Sequence, residues 1–149
     1  TYALLEEIAQ DPAFAEADLR VAPASPGKAE RLLPFVNHAR GTLYVNLEEA
    51  SILCQTEFDG SANAAEGLLA RGAARVLVTD GGKSATEASA DTGLITQTPP
   101  EVLVTRVTGA GDTFMAAHIA AEVDGAPRAD ALARALRAAA TYVSGETPL

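Results

Sequence analysis

The sequence is poor in cysteine, in basic residues and in long apolar runs. Its single cysteine, Cys54, excludes an intrachain disulfide. No catalytic motif surrounds Cys54, which therefore reads as an inert core thiol suited to a reducing compartment. Lys and Arg number 11 against 20 Asp and Glu, for a formal charge of −9. That acidic balance argues against nucleic acid as a partner, because binding a phosphate backbone needs clustered cations. No apolar run approaches the ~20 residues of a membrane span, and no charged-then-apolar leader supports secretion. The two histidines, His38 and His118, lack metal-ligand spacing and are expected to be structural. Repeats and low-complexity tracts are absent.

What is present is a 48% hydrophobic chain in which strand-like and helix-like stretches alternate, the pattern of a mostly parallel sheet flanked by helices. It reads as one α/β domain over residues 1–149, expected to be soluble and cytoplasmic. Helices are predicted over residues 2–10, 28–37, 47–54, 61–71, 113–121 and 128–143, and strands over 19–22, 42–45, 75–79, 84–90, 94–98 and 102–107. Asn46 starts the 47–54 helix, while Ser61 caps the next one and Gly72 closes it. Asp91-Thr92-Gly93 joins two strands as a hairpin. In an open parallel sheet ligands gather at the carboxyl ends of strands. Asn46, Thr79 to Gly82 and the glycines after residue 107 all fall there, so one edge is expected to carry the function.

The glycines belong to Thr108-Gly109-Ala110-Gly111-Asp112, between the strand-like Val102-Leu103-Val104 and a helix. Two glycines permit a sharp turn and close backbone approach to a ligand, and the first N–H groups of the helix carry the positive end of its dipole. A carboxylate in such an anion site makes sense if Asp112 takes a proton from a hydroxyl while N–H groups stabilise charge on a phosphoryl group. The plainer alternative is that Asp112 only complements the helix dipole and the glycines only serve the turn. A dinucleotide fingerprint is excluded, because Phe114 stands where a small residue is needed and no acidic strand end follows. Gly81-Gly82-Lys83-Ser84 ends like a P-loop, yet that pattern's first glycine would fall at Leu77.

Thr108-Gly109-Ala110-Gly111-Asp112 on a strand-to-helix turn resembles the signature of the ribokinase-like (PfkB-type) sugar and nucleoside kinases. Asn46-Leu47-Glu48-Glu49 is similar to that family's Asn-x-x-Glu motif, and Val76-Leu77-Val78-Thr79-Asp80-Gly81-Gly82 to its strand and nucleotide loop. The resemblance implies a three-layer α/β/α fold, ATP and magnesium, and phosphoryl transfer to a hydroxymethyl group of a sugar or nucleoside. On it, Asp112 is the general base, and Gly109, Ala110 and Gly111 form the anion hole. Asn46, Thr79, Gly81, Gly82 and Thr108 line the nucleotide, Glu49 organises magnesium through water, and Tyr142 flanks the adenine pocket. Lys28 and Lys83 are further candidates for phosphate contact. The stretch from Ala24-Ser25-Pro26-Gly27-Lys28 to Leu33-Pro34 is similar to one in pseudouridine kinases, which makes a C-nucleoside the first acceptor to consider.

The resemblance covers only the later part of the family's domain. The chain opens on Thr1 without a methionine, and the amino-terminal half with its sugar-binding carboxylate, glycine-rich loop and β lid is expected to be missing. A homodimer would form through that missing part. The alternative from another class is a noncatalytic nucleotide-binding or assembly module of the same fold, and a Rossmann-type oxidoreductase ranks behind both.

The family usually has Asp-Thr just before the signature, where this chain has Arg106-Val107. The aspartate helps shape a potassium site, whereas arginine brings a fixed positive charge. Activity of the complete protein with excess magnesium is therefore expected to be nearly equal in potassium and in a large organic cation at matched ionic strength. Strong potassium activation in that comparison would exclude the substitution.

Overall fold

In chain order the strands are β1 (Leu19–Val21), β2 (Gly41–Asn46), β3 (Arg75–Thr79), β4 (Ala85–Ser89) and β5 (Gly93–Gln97). The helices are α1 (Tyr2–Gln10), α2 (Leu33–Val36), α3 (Leu47–Cys54), α4 (Ser61–Ala70), α5 (Ala110–Val123) and α6 (Arg128–Val143). These come from a computed structural model that describes residues 1–145. The chain divides into two units, Thr1–Asp80 with Ala85–Thr96, and Gly81–Ser84 with the residues from Gln97 onward.

The strands lie in sequence order in one sheet. β1, β2 and β3 are mutually parallel, in registers that run from Leu19↔Gly41 and from Thr42↔Arg75 to Asn46↔Thr79. β3 and β4 are antiparallel, with Leu77 opposite Glu87, so the sheet is mixed rather than parallel throughout. Each parallel step needs a crossover connection, and helices supply it. Leu43 and Val45 of β2, Val76 and Val78 of β3 and Ala88 of β4 share one face at the pleat's period of two. There they form a core with Leu32, Phe35, Leu53, Ala64, Ala65 and Leu68 of the crossover segments. Leu77, on the opposite face of β3, is also buried. A strand buried on both faces explains the unbroken apolar run Val76-Leu77-Val78.

Cys54 is buried in this core, where desolvation raises its thiol pKa and the neighbouring Arg71 partly opposes the rise. It sits as the inert thiol read from the sequence. His38 is buried too: Arg40 N–H donates to its Nδ1, at 3.1 Å, which assigns the ring proton to Nε2, 2.8 Å from the carbonyl of Phe14.

In the second unit α5 and α6 pack along each other. Ala131, Leu132, Ala135, Leu136 and Ala140 form the buried stripe of α6, and Phe114, His118 and Ala121 that of α5. Phe114 and His118 stack one helical turn apart, and His118 Nδ1 lies 3.6 Å from Glu122. His118 thus has the structural surroundings expected of it. No described helix is long and apolar enough to cross a membrane.

Three expectations need correction. The helix predicted over residues 28–37 is a 3₁₀ segment, Pro26–Leu32, followed by the single turn α2. Pro34 is the reason, since its ring clashes with the carbonyl four residues back and it has no N–H to donate. Ser61 is not the cap of α4. Gly60 takes that position, and the buried Ser61 hydroxyl instead bonds Thr86 Oγ1 at 2.8 Å. Residues 102–107 form no strand. Leu103, Val104 and Val107 are exposed, and the N–H groups of Thr105 and Arg106 bond the Val143 carbonyl instead of a sheet ladder.

Helix α3 ends on Gln55, the only non-glycine residue with positive φ among the described residues (φ 51°, ψ 40°). A side chain in this left-handed conformation costs about 1 kcal/mol that glycine does not. Gln55→Gly is therefore expected to raise the urea midpoint of the chain by an amount corresponding to ~1 kcal/mol. A lowered midpoint would mean that the Gln55 side chain contributes more than its backbone costs.

Candidate active site

The first group of candidate residues lies where β2 and β3 end side by side. Asn46 is the last residue of β2, and its register partner is Thr79, the last residue of β3. Asn46 also opens α3. Its backbone is extended, its Oδ1 accepts from Glu49 N–H at 2.8 Å, and Glu49 Oε1 accepts from Asn46 N–H at 2.9 Å. This reciprocal capping box satisfies donors that a helix start leaves without intrahelical partners. It also fixes the Glu49 side chain, which is 7% exposed, at the positive end of the α3 dipole. The Asn-x-x-Glu spacing thus has a complete structural role, and any further role of Glu49 must be compatible with it.

The chain after β3 passes through Asp80 into the second unit. Gly81 has φ 57°, which calls for glycine, while Gly82 has ordinary φ and open space around it. Lys83 is exposed, as is Lys28 in the first unit.

In the second unit, Gly109 adopts φ 96°, ψ −4° and opens α5 without a side-chain cap. The turn is tight. Ala110 N–H donates to Val107 O at 3.0 Å, and Thr113 returns both its N–H (3.0 Å) and its hydroxyl (2.8 Å) to Gly109 O. The Ala110 N–H, expected to face an anion, is therefore engaged within the turn. Among the described residues no carbonyl takes the N–H of Gly109, Gly111 or Asp112. Asp112 is exposed in the first turn of α5. Its carboxylate is accessible there, with the helix dipole behind it.

Thr108 is held from behind. Its carbonyl accepts from the Tyr142 hydroxyl at 2.5 Å. Arg106 donates from Nε to Tyr142 O at 2.6 Å, and its guanidinium carbon lies 4.0 Å from the centre of the Tyr142 ring. Nothing in the spacing of residues 106, 108 and 142 announces this group. The sequence signals only an aromatic residue near the end of an alanine-rich helix.

No three or more His, Cys, Asp or Glu side chains cluster as a metal cage among the described residues. A cavity of about 650 Å³ in the first unit is lined by Leu47, Ser51 and Ile52 of α3 together with Phe58 and Asp80.

Parallel strands ending in Asn46 and Thr79, and a left-handed glycine turn that opens a helix bearing a carboxylate, define the class: the ribokinase-like α/β fold. The chain belongs to the pfkB family of carbohydrate kinases, whose model matches residues 1–147. Solved structures share the fold. A protein of Clostridium perfringens described as a candidate sugar kinase superposes with a TM-score of 0.82 at 21% identity, over 97% of this chain and 46% of that one. The ribokinase of Thermotoga maritima gives 0.75 at 24% identity, over 96% and 47%. An adenosine kinase of Schistosoma mansoni, solved with 2-fluoroadenosine, gives 0.76 at 19%, over 96% and 46%. The chain thus spans less than half the length of these structures. No curated protein is a significant match.

The capping box separates two consequences of changing its members. Asn46→Ala removes the acceptor for Glu49 N–H and is expected to lower unfolding free energy by about 1 kcal/mol. Glu49→Gln keeps a carbonyl oxygen for Asn46 N–H and is expected to stay within ~0.5 kcal/mol of the unsubstituted chain. Equal losses in chemical denaturation would show that the Glu49 charge contributes as much to the start of α3 as the hydrogen bond from Glu49 N–H to Asn46.

Proposed function

We propose that this chain supplies the nucleotide and phosphoryl-transfer machinery of an ATP-dependent kinase acting on a hydroxymethyl group of a sugar or nucleoside, in the cytoplasm. One observation carries the reading: the left-handed Gly109 turn presents backbone N–H groups beside the accessible carboxylate of Asp112. In this reading Asp112 accepts the proton of the attacking hydroxyl as that hydroxyl's oxygen bonds to the γ-phosphorus of ATP and the bond from that phosphorus to the leaving oxygen of ADP breaks. Gly109 and Gly111 donate N–H groups to the phosphoryl oxygens on which charge builds. Ala110, its N–H committed to Val107 O, contributes to the shape of the turn. Asn46, Thr79, Gly81, Gly82 and Thr108 are assigned to the nucleotide, on their match to the family's motifs.

The residues fit magnesium in a particular way. Magnesium keeps several waters and is typically held through one or two carboxylates with substrate phosphates, not by an all-protein cage. The buried carboxylate of Glu49, held at the start of α3 by its bond from Asn46 N–H, is assigned to magnesium through water on its match to the family's Asn-x-x-Glu motif. When bound, the ion would neutralise charge on the phosphates. The acceptor's identity, with pseudouridine as first candidate, rests on similarity of residues 24–34 alone.

Asp112→Asn in the complete protein is expected to lower turnover by about 10²-fold or more. Nucleotide affinity, measured by equilibrium binding, should change less than about threefold, because a general base acts in the transition state and not on the ground-state nucleotide. Unchanged turnover would remove Asp112 from the mechanism, and absence of turnover in the unsubstituted protein would favour a noncatalytic nucleotide-binding module.

A further inference from the structure

Residues 105–109 lead into the glycine turn without sheet pairing, yet they are fixed. Thr105 N–H and Arg106 N–H donate to Val143 O at 2.7 and 3.2 Å, and Thr105 Oγ1 donates to the same oxygen at 3.2 Å. The Arg106 guanidinium covers the Tyr142 ring and bonds its carbonyl. This places a cation at the carboxyl end of α6, where the helix dipole favours it. The Tyr142 hydroxyl, so restrained, donates to Thr108 O. It also fills the space a Cβ at Gly109 would need, well inside van der Waals contact.

Thr108 C=O and Gly109 N–H belong to one planar trans peptide and point in opposite directions. A group that holds the carbonyl therefore sets the direction of the N–H. We infer that Tyr142 is a positioning residue for the anion turn: gripping Thr108 O, it aims Gly109 N–H away from α6, and Arg106 keeps the phenol from swinging. This rests on the anion-turn reading proposed above. It gives Arg106 a task on Tyr142, whose carbonyl and ring its guanidinium contacts.

Tyr142→Phe tests this, since it removes one hydroxyl and no charge. The probe is inorganic sulfate, titrated at constant ionic strength into the full chain while the amide signals of Gly109, Gly111 and Asp112 are followed by NMR. The unsubstituted chain is expected to show saturable shifts. Tyr142→Phe is expected to weaken sulfate binding by at least about fivefold, the worth of one hydrogen bond. The coupling constants of Gly109 should lose their left-handed signature, while the methyl signals of Leu132 and Leu136 stay in place. Unchanged sulfate affinity overturns the inference, whatever Gly109 does. Collapse of the Leu132 and Leu136 signals also overturns it, because the hydroxyl would then support the helix pair and not the turn. Failure of the unsubstituted chain to respond to sulfate would instead sink the anion-turn reading on which the inference stands.

Discussion

Parallel pairing of β2 with β3 is the constraint on which the first unit depends. Two parallel neighbours cannot be joined by a hairpin, so the chain must cross back over the sheet, and α3 and α4 are that crossover. Their apolar sides bury Leu43, Val45, Val76 and Val78. Because the strands are parallel and in register, Asn46 and Thr79 end together. The hydrogen-bond ladder, more than any single side chain, sets the first group of candidate residues next to one another. The capping box then turns the end of β2 into the start of α3 while satisfying the backbone N–H groups of Asn46 and Glu49.

The second unit solves a different problem with different means. Half of the residues buried by its two long helices are alanine, with Leu132, Leu136, Phe114 and His118 as the large members. Small side chains leave less apolar area per residue to stabilise the pair. Specific hydrogen bonds at the carboxyl end of α6 therefore carry more of the local order. They are where residues 105–108 are anchored, and they decide how the chain enters α5. A glycine at position 109 is required twice over, by its positive φ and by the Tyr142 hydroxyl behind it.

The exposed Leu103, Val104 and Val107 mark the limit of reasoning from propensity. Val102-Leu103-Val104 has strand composition, but composition describes a side chain's fit to a pleated, half-buried surface. Without a partner strand there is no such surface, and the backbone of Thr105 and Arg106 finds acceptors on Val143 instead. The same limit applies to Ser61, whose hydroxyl prefers a buried bond to Thr86 over a local cap.

Local chemistry was legible at several elements settled within a few residues, though not at Pro34, which interrupts the helix expected over residues 28–37. The start of α3 at Asn46, the full extent of α6, the strand at residues 75–79 and the glycine turn at residues 109–111 could all be read from spacing and residue type, whereas the box that ties Glu49 back to Asn46 was not read there. Each depends on backbone geometry over one or two turns. The order of Asn-x-x-Glu, Thr79 to Gly82 and the glycine turn was enough to indicate the kinase family. What only the tertiary structure decided are the relations between residues far apart in sequence: the antiparallel return of β4, the loss of the strand at residues 102–107, the engagement of Ala110 N–H and the clamp of Arg106 and Tyr142 on Thr108. A hydroxyl 34 positions away bonds a carbonyl only after two helices have packed, and no periodicity in the chain encodes that meeting.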